Sequence, residues 1–191
     1  MISDTAPPSH DSRPRSRLRS PGVVAAVVGV LVVAGLARVG WEWRHPEAFV
    51  GYDGVGIEDT WPADEWVHIG VSPRADGARG LVRIHSVRAD VLDNTAGAEI
   101  TFQVCHLAGD AGADIGSVRE PDLRSMCASL VPAEGATLDL DAEPLQQLVM
   151  GIRLDGPGRL AIRDVELGYS HGWQRGSQRI GDGVVLRAET G

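Results

Sequence analysis

The chain has 191 residues, 18 basic against 26 acidic, and a formal net charge of −8. That length holds one domain of about 140 residues plus an N-terminal appendage. Residues 1–37 carry four Arg against two Asp, whereas residues 38–191 carry 14 Arg against 24 Asp and Glu. So acidic a body excludes a phosphate-backbone partner, and no nucleic-acid binding is expected.

Every basic residue is Arg and none is Lys, a bias read as genomic base composition favouring Arg codons. The chain holds 24 Gly and 11 Pro, where roughly 13 Gly would be ordinary. That excess points to many turns between short strands.

Residues 1–20, "MISDTAPPSHDSRPRSRLRS", are rich in Pro, Ser and Arg and read as a disordered cytoplasmic tail. Between Arg19 and Arg38 lie only uncharged residues, Ser20 to Ala37, nearly all Val, Ala, Gly and Leu. As a helix this run measures about 27 Å, close to the roughly 30 Å hydrocarbon core of a bilayer. It is apolar on every face, where a soluble amphipathic helix would keep a polar stripe. Trp41 and Trp43 follow at headgroup level, and Arg38 can snorkel past the last turn. Residues 21–43 are therefore expected to form a transmembrane helix with interfacial tryptophans. The rival reading is a cleavable export signal with Gly35-Leu36-Ala37 as its small-x-small site. No Cys follows the run, which excludes a lipoprotein anchor. Arg13, Arg15, Arg17 and Arg19 precede the run and keep the N-terminus cytoplasmic while touching anionic lipid. Residues 44–191 then form an extracytoplasmic domain.

In that domain short apolar alternations are broken by Gly, Pro and Asp. Val67, Ile69 and Val71 share one face of "WVHIGVS". In "LVRIHSVRADVL" Val82 and Ile84 give way to Val87, Ala89 and Val91, a phase flip at His85-Ser86 that predicts a β-bulge or a change of sheet. "AEITFQVCHL" sets Ile100, Phe102 and Val104 against Glu99, Thr101 and Gln103. "ATLDLD" is a short strand, and "LVMGIRL" aligns Leu148, Met150, Ile152 and Leu154. After the tight "DGPG", "RLAIRDVELGY" changes phase between Ile162 and Val165, and "GVVLRA" closes the domain. One helical turn fits "EPDLRSMCASL". Seven to nine strands with these turn signals predict an all-β fold: a single antiparallel β-sandwich, immunoglobulin-like in the loose sense, after one N-terminal transmembrane helix.

Cys105 and Cys127 are the only cysteines, and an exported domain makes a disulfide the default. Cys105 is in phase with Glu99, Thr101 and Gln103, so the bridge should tether segment 108–126 to a strand's outer side rather than pin two sheets through the core.

Chemistry-bearing clusters are sparse. His68, His85 and His106 could hold copper or zinc if brought together, and Asp139, Asp141 and Glu143 or Asp110 and Asp114 could hold calcium or flank a glycosidic bond. Ordinary strand positions and solvated faces explain them without a ligand, so no metal site and no cofactor is expected. No G-x-S-x-G, H-E-x-x-H or phosphate-loop motif is present. In "EDTWPADEW" Trp61 and Trp66 either contact a partner or a sugar ring, or pack beneath the first strands.

The C-terminal stretch "GRLAIRDVELGYSHGWQRGSQRIGDGVVLRA", through Val165, Leu167, Tyr169, Gly172, Arg175, Gly176, Gln178, Gly181 and Val185, resembles the end of small single-pass membrane proteins of high-GC Gram-positive bacteria. The resemblance spans about thirty residues. It implies an exported β-sandwich and supplies no catalytic residues. The functional expectation is a membrane-anchored binding or accessory module for a membrane or cell-envelope protein, with the lipid bilayer as a partner. The alternatives are an envelope hydrolase using the acidic clusters and a metal-binding protein using the three histidines.

Overall fold

The computed structural model describes residues 21–51, 56–71, 75–109 and 115–188. Arg13, Arg15, Arg17, Arg19 and the expected tail lie outside these residues, as do Asp110 and Asp114. Contacts divide the chain into two units, Met1–Arg38 and Val39–Gly191.

Helix α1 runs from Pro21 to Arg44. Its apolar side chains Val28, Val30, Leu31, Val32, Val33 and Leu36 are all exposed. Among the described residues no helix is long and apolar enough to cross a membrane. The structure therefore supports a helix over residues 21–43 and leaves the expected span as an inference from the sequence.

After the end of α1 the second unit is all-β apart from one short helix. In chain order its elements are β1 (Gly56–Thr60), β2 (Trp66–Gly70), β3 (Leu81–Asn94), β4 (Glu99–Leu107), β5 (Ser117–Arg119), α2 (Glu120–Met126), β6 (Cys127–Pro132), β7 (Thr137–Asp139), β8 (Gln146–Arg153), β9 (Gly158–His171), β10 (Gln174–Ile180) and β11 (Gly183–Ala188). One sheet has the order β1-β11-β9-β3-β7, with β10 also on β9, and the other β5-β2-β8-β4-β6. Both contribute to a single core: Val67, Ile69, Val104, Leu148, Met150 and Ile152 from one, Val82, Ile84, Leu160, Ile162, Val165, Leu167, Tyr169, Val184 and Leu186 from the other. All pairings are antiparallel except β1 with β11.

The connectivity corrects the immunoglobulin-like expectation. Strands β4 and β6, β3 and β7, and β2 and β8 pair as nested ribbons, and the ribbons close through β8 with β4 and β9 with β3. Consecutive strands β2, β3 and β4 thus alternate between sheets, which is the double Greek key of a jelly roll. A jelly roll's first strand lies beside its last. Here β1 is separated from β9 by β11, so the last strand has been inserted at that edge.

The expected phase changes are β-bulges. The β3–β9 register shifts between Ile84 and Ser86, and again around Asp90, opposite Arg163-Asp164. Each extra residue reverses the inward face, so both Ile84 and Val87 reach the core side, and both Ile162 and Val165 do. At the second bulge Asp164 is buried, its carboxylate held by Arg179 at 3.2 Å and Arg163 at 3.4 Å.

The expected disulfide is present, Cys105–Cys127, with Cα atoms 5.5 Å apart. It lies outside the main core, in a smaller cluster with Leu107, Ile115, Leu123 and Val149. It therefore ties α2 and its flanks onto the outer face of the five-stranded sheet, as the phase of Cys105 implied. Helix α2 exceeds the expected single turn: Pro121 opens it, Glu120 and Asp122 sit favourably in its first turn, and buried Leu123 fixes it to the sheet.

Candidate functional site

The chain enters the sandwich through a strap, residues 45–51, that follows α1. Ala48 and Phe49 are buried in the main core. Tyr169 Oη accepts a hydrogen bond from the Ala48 amide at 2.9 Å and donates to Gln178 Oε1 at 2.6 Å. The same Oε1 accepts from the Phe49 amide at 3.4 Å, while Gln178 Nε2 donates to the Phe49 carbonyl at 2.6 Å. Phe49 meets the Tyr169 ring edge-on at 5.3 Å. Burial pushes the Tyr169 phenol up to about 12, with Glu47 adding to the shift against the Ala48 hydrogen bond, so its proton stays available to Gln178.

Strand β10 explains itself through this strap. Its partly buried positions Gln174, Gly176 and Gln178 alternate with exposed Arg175, Ser177 and Arg179. The inward residues meet backbone rather than core side chains, so they are polar or absent. Gln174 Nε2 donates to the Glu42 carbonyl at 2.9 Å. A Cβ on Gly176 would stand 1.9 Å from the Arg44 carbonyl oxygen, so only glycine lets the chain pass there. The strap ends in a bridge from Gly51 to Ile180.

Over this junction opens a cleft of about 570 Å³ lined by Trp43, Arg44, His45, His85, Gly168, Tyr169, Arg175, Gly176 and Ser177. None of these residues is acidic. Gly168 and Gly176 leave part of its floor without side chains. His85, on the first bulge, faces Ser170 Oγ at 3.2 Å. Desolvation and the neighbouring charges of Arg175 and Arg83 hold its imidazole below the ordinary value of 6.5.

Charge pairing sets this region apart. Arg88, Arg119, Arg124, Arg153, Arg159, Arg163, Arg179 and Arg187 all pair with carboxylates. Arg44, Arg79, Arg83 and Arg175 have no carboxylate partner among the described residues. Arg44 and Arg175 line the cleft, Arg83 acts on His85, and Arg79 with Arg83 lines the adjoining hollow beside His171 and Gly172. The exposed tryptophans gather at the same junction: Trp41 and Trp43 at the end of α1, and Trp173 in the β9–β10 turn next to the Gln174–Glu42 hydrogen bond.

The other expected residues are dispersed. Trp61 packs against the main core with Arg119 over its ring at 5.6 Å. Trp66 lies partly buried on the outer side of β2, stacked on His68 and capped by Arg153 at 5.6 Å. His68 is buried under α2 and bonded to Glu120 at 2.5 Å, its Nδ1 without a partner. Burial alone would raise the Glu120 carboxyl, but hydrogen bonds from Arg124 and His68 outweigh it and hold the group below 4.5. His85 sits on the other sheet and His106 on β4, and the described residues contain no group of three His, Cys, Asp or Glu able to hold a metal ion. Asp139 and Asp141 accept from the backbone amides of Asp141 and Gly80, both at turns.

The fold and the junction define a jelly-roll domain entered through a clamped strap from an N-terminal helix. No family model, no curated protein and no solved structure matches the chain.

Sequence reasoning missed the cleft, Trp173 and the clamp. A signal for the clamp was present: Tyr169, Gly176 and Gln178 all belong to the C-terminal pattern, but their common purpose needs the strap in view.

Proposed function

We propose that the chain is a single-pass membrane protein whose extracytoplasmic jelly roll serves as a binding or accessory module at the cell envelope. The observation that carries this reading is the junction of α1 with the domain. Trp41, Trp43 and Trp173 are exposed there beside Arg44, Arg79, Arg83 and Arg175, the four described arginines without a carboxylate partner. Amphipathic aromatics with unpaired cations are the composition of a protein surface that meets lipid headgroups. Elsewhere in the acidic body the described arginines are neutralised, so the pattern is local.

Two further facts support it. The uncharged run Ser20 to Ala37 has the length of a span, and the Cys105–Cys127 bridge suits an oxidising compartment. The strap leaves few residues between α1 and Ala48, so a domain tethered in this way stays at the bilayer surface, where a neighbouring membrane or envelope protein is the natural partner.

The test is fractionation of cells expressing the intact chain, with thiol alkylation before and after reduction. The expected result is carbonate-resistant membrane association, with both cysteines alkylated only after reduction and the domain degraded by protease added outside. An intact polypeptide in the soluble fraction with both thiols free ends this reading. In-cell crosslinking from Trp173 replaced by a photoreactive residue should then trap a membrane or envelope protein.

A further inference from the structure

We propose that the cleft between the strap and β10 binds a phosphate group, presented by an anionic lipid headgroup or by a free phosphate ester. The lipid source rests on the anchored reading above; the cleft's chemistry does not.

Arg44, His45, His85 and Arg175 are among the residues that line this opening, and no lining residue is acidic. Arg44 and Arg175 are exposed and without a carboxylate partner among the described residues, a local positive patch in a chain of net charge −8. Arginine donates in a planar fork that matches phosphate oxygens, and Ser177 adds a hydroxyl to the lining. The volume, about 570 Å³, falls within the range of small-ligand sites. Gly168 and Gly176 line the opening with backbone alone, and close approaches to Ser86 and to the strap keep both positions glycine. Trp43 is an exposed lining residue, an aromatic that a headgroup's glycerol and acyl region could meet.

Binding has a signature beyond affinity. His85 is held below its ordinary value by desolvation together with Arg175 and Arg83. A phosphate between these groups adds a negative charge, which favours the imidazolium and raises the His85 midpoint. The charged and polar groups facing His85 are Arg83 on its own strand, Ser170 on β9 and Arg175 on β10, with Arg44 and His45 across the cleft.

The experiment uses the full chain in detergent and in lipid nanodiscs, with His85 followed by ring NMR and Trp43 by fluorescence. Inorganic phosphate and glycerol phosphate are titrated in detergent; discs of phosphatidylglycerol are compared with discs of phosphatidylcholine. An upward shift of the His85 midpoint in phosphatidylglycerol but not phosphatidylcholine assigns the site to the lipid headgroup. A shift with the soluble phosphates in detergent, together with equal midpoints in the two kinds of disc, assigns it to a free ester. In either case Arg175→Gln should weaken the response about tenfold, the loss of one charge-assisted hydrogen bond. Arg187→Gln, which removes an exposed charge on β11, should leave it unchanged. No shift with any probe, or an equal loss in both variants, overturns the proposal. Failure of the fractionation above with a positive phosphate titration removes the anchor and keeps the cleft, so the two readings fail separately.

Discussion

The Tyr169 hydroxyl and the Gln178 amide form a two-residue clamp: one donates to the other at 2.6 Å, and together they bind both backbone groups of Phe49 and the amide of Ala48. The strap is thereby joined to the sandwich through partners 121 and 129 residues away in sequence.

Tyr169→Phe keeps the ring and removes the hydroxyl, leaving the buried Ala48 amide without its acceptor. Such a loss costs about 1–3 kcal/mol, or a Tm fall of a few degrees for a domain of this size. Chemical denaturation checks the magnitude. Limited proteolysis should show new cleavage between Arg44 and Gly51 before the rest of the domain opens.

Gly176→Ala should be more damaging than its single methyl suggests. Its Cβ would lie 1.9 Å from the Arg44 carbonyl oxygen and 2.9 Å from Pro46 Cδ, so either the strap or β10 must move. Gly156→Ala, where nothing lies within 4 Å, is the control and should unfold as the wild type does. Equal melting of the two variants would contradict the close approach.

Replacing Cys105 and Cys127 together by Ser should cost about 3 kcal/mol through the freed loop, which spans 22 residues. Because the bridge sits in the smaller cluster with Leu123 and Ile115 rather than the main core, hydrogen exchange should accelerate first across α2 and β5. Protection of β3, β8 and β9 should persist.

The His68–Glu120 pair sets an acid dependence. The Glu120 carboxyl lies below 4.5 in the folded chain, so its contribution is complete above that value and is lost as pH falls through the folded midpoint. The stability difference between wild type and Glu120→Gln should shrink as pH falls through the Glu120 midpoint. A difference that grows as pH falls would reverse the assignment.

Much of the sheet structure was legible in the sequence because buried strands announce themselves by alternation. Val67, Ile69 and Val71, or Leu148, Met150 and Ile152, have only the core to face, and the phase flips at His85-Ser86 and between Ile162 and Val165 marked the bulges. Strands β1, β5, β6 and β10 escaped notice. They lie at edges or meet backbone, and "QRGSQRI" shows no apolar alternation because the strap fills its inner side.

The outward phase of Cys105 likewise determined which side of the sheet the disulfide would hold, since strand periodicity fixes a side chain's face without knowledge of the partner. Alternation cannot say which strands become neighbours. That choice depends on long-range pairing and the closure of ribbons, so the jelly-roll order rather than an immunoglobulin one was a tertiary outcome. The same holds for the cleft. Arg44, His85 and Arg175 are far apart in the chain, and only the packed sandwich decides which arginines find a carboxylate and which line an opening.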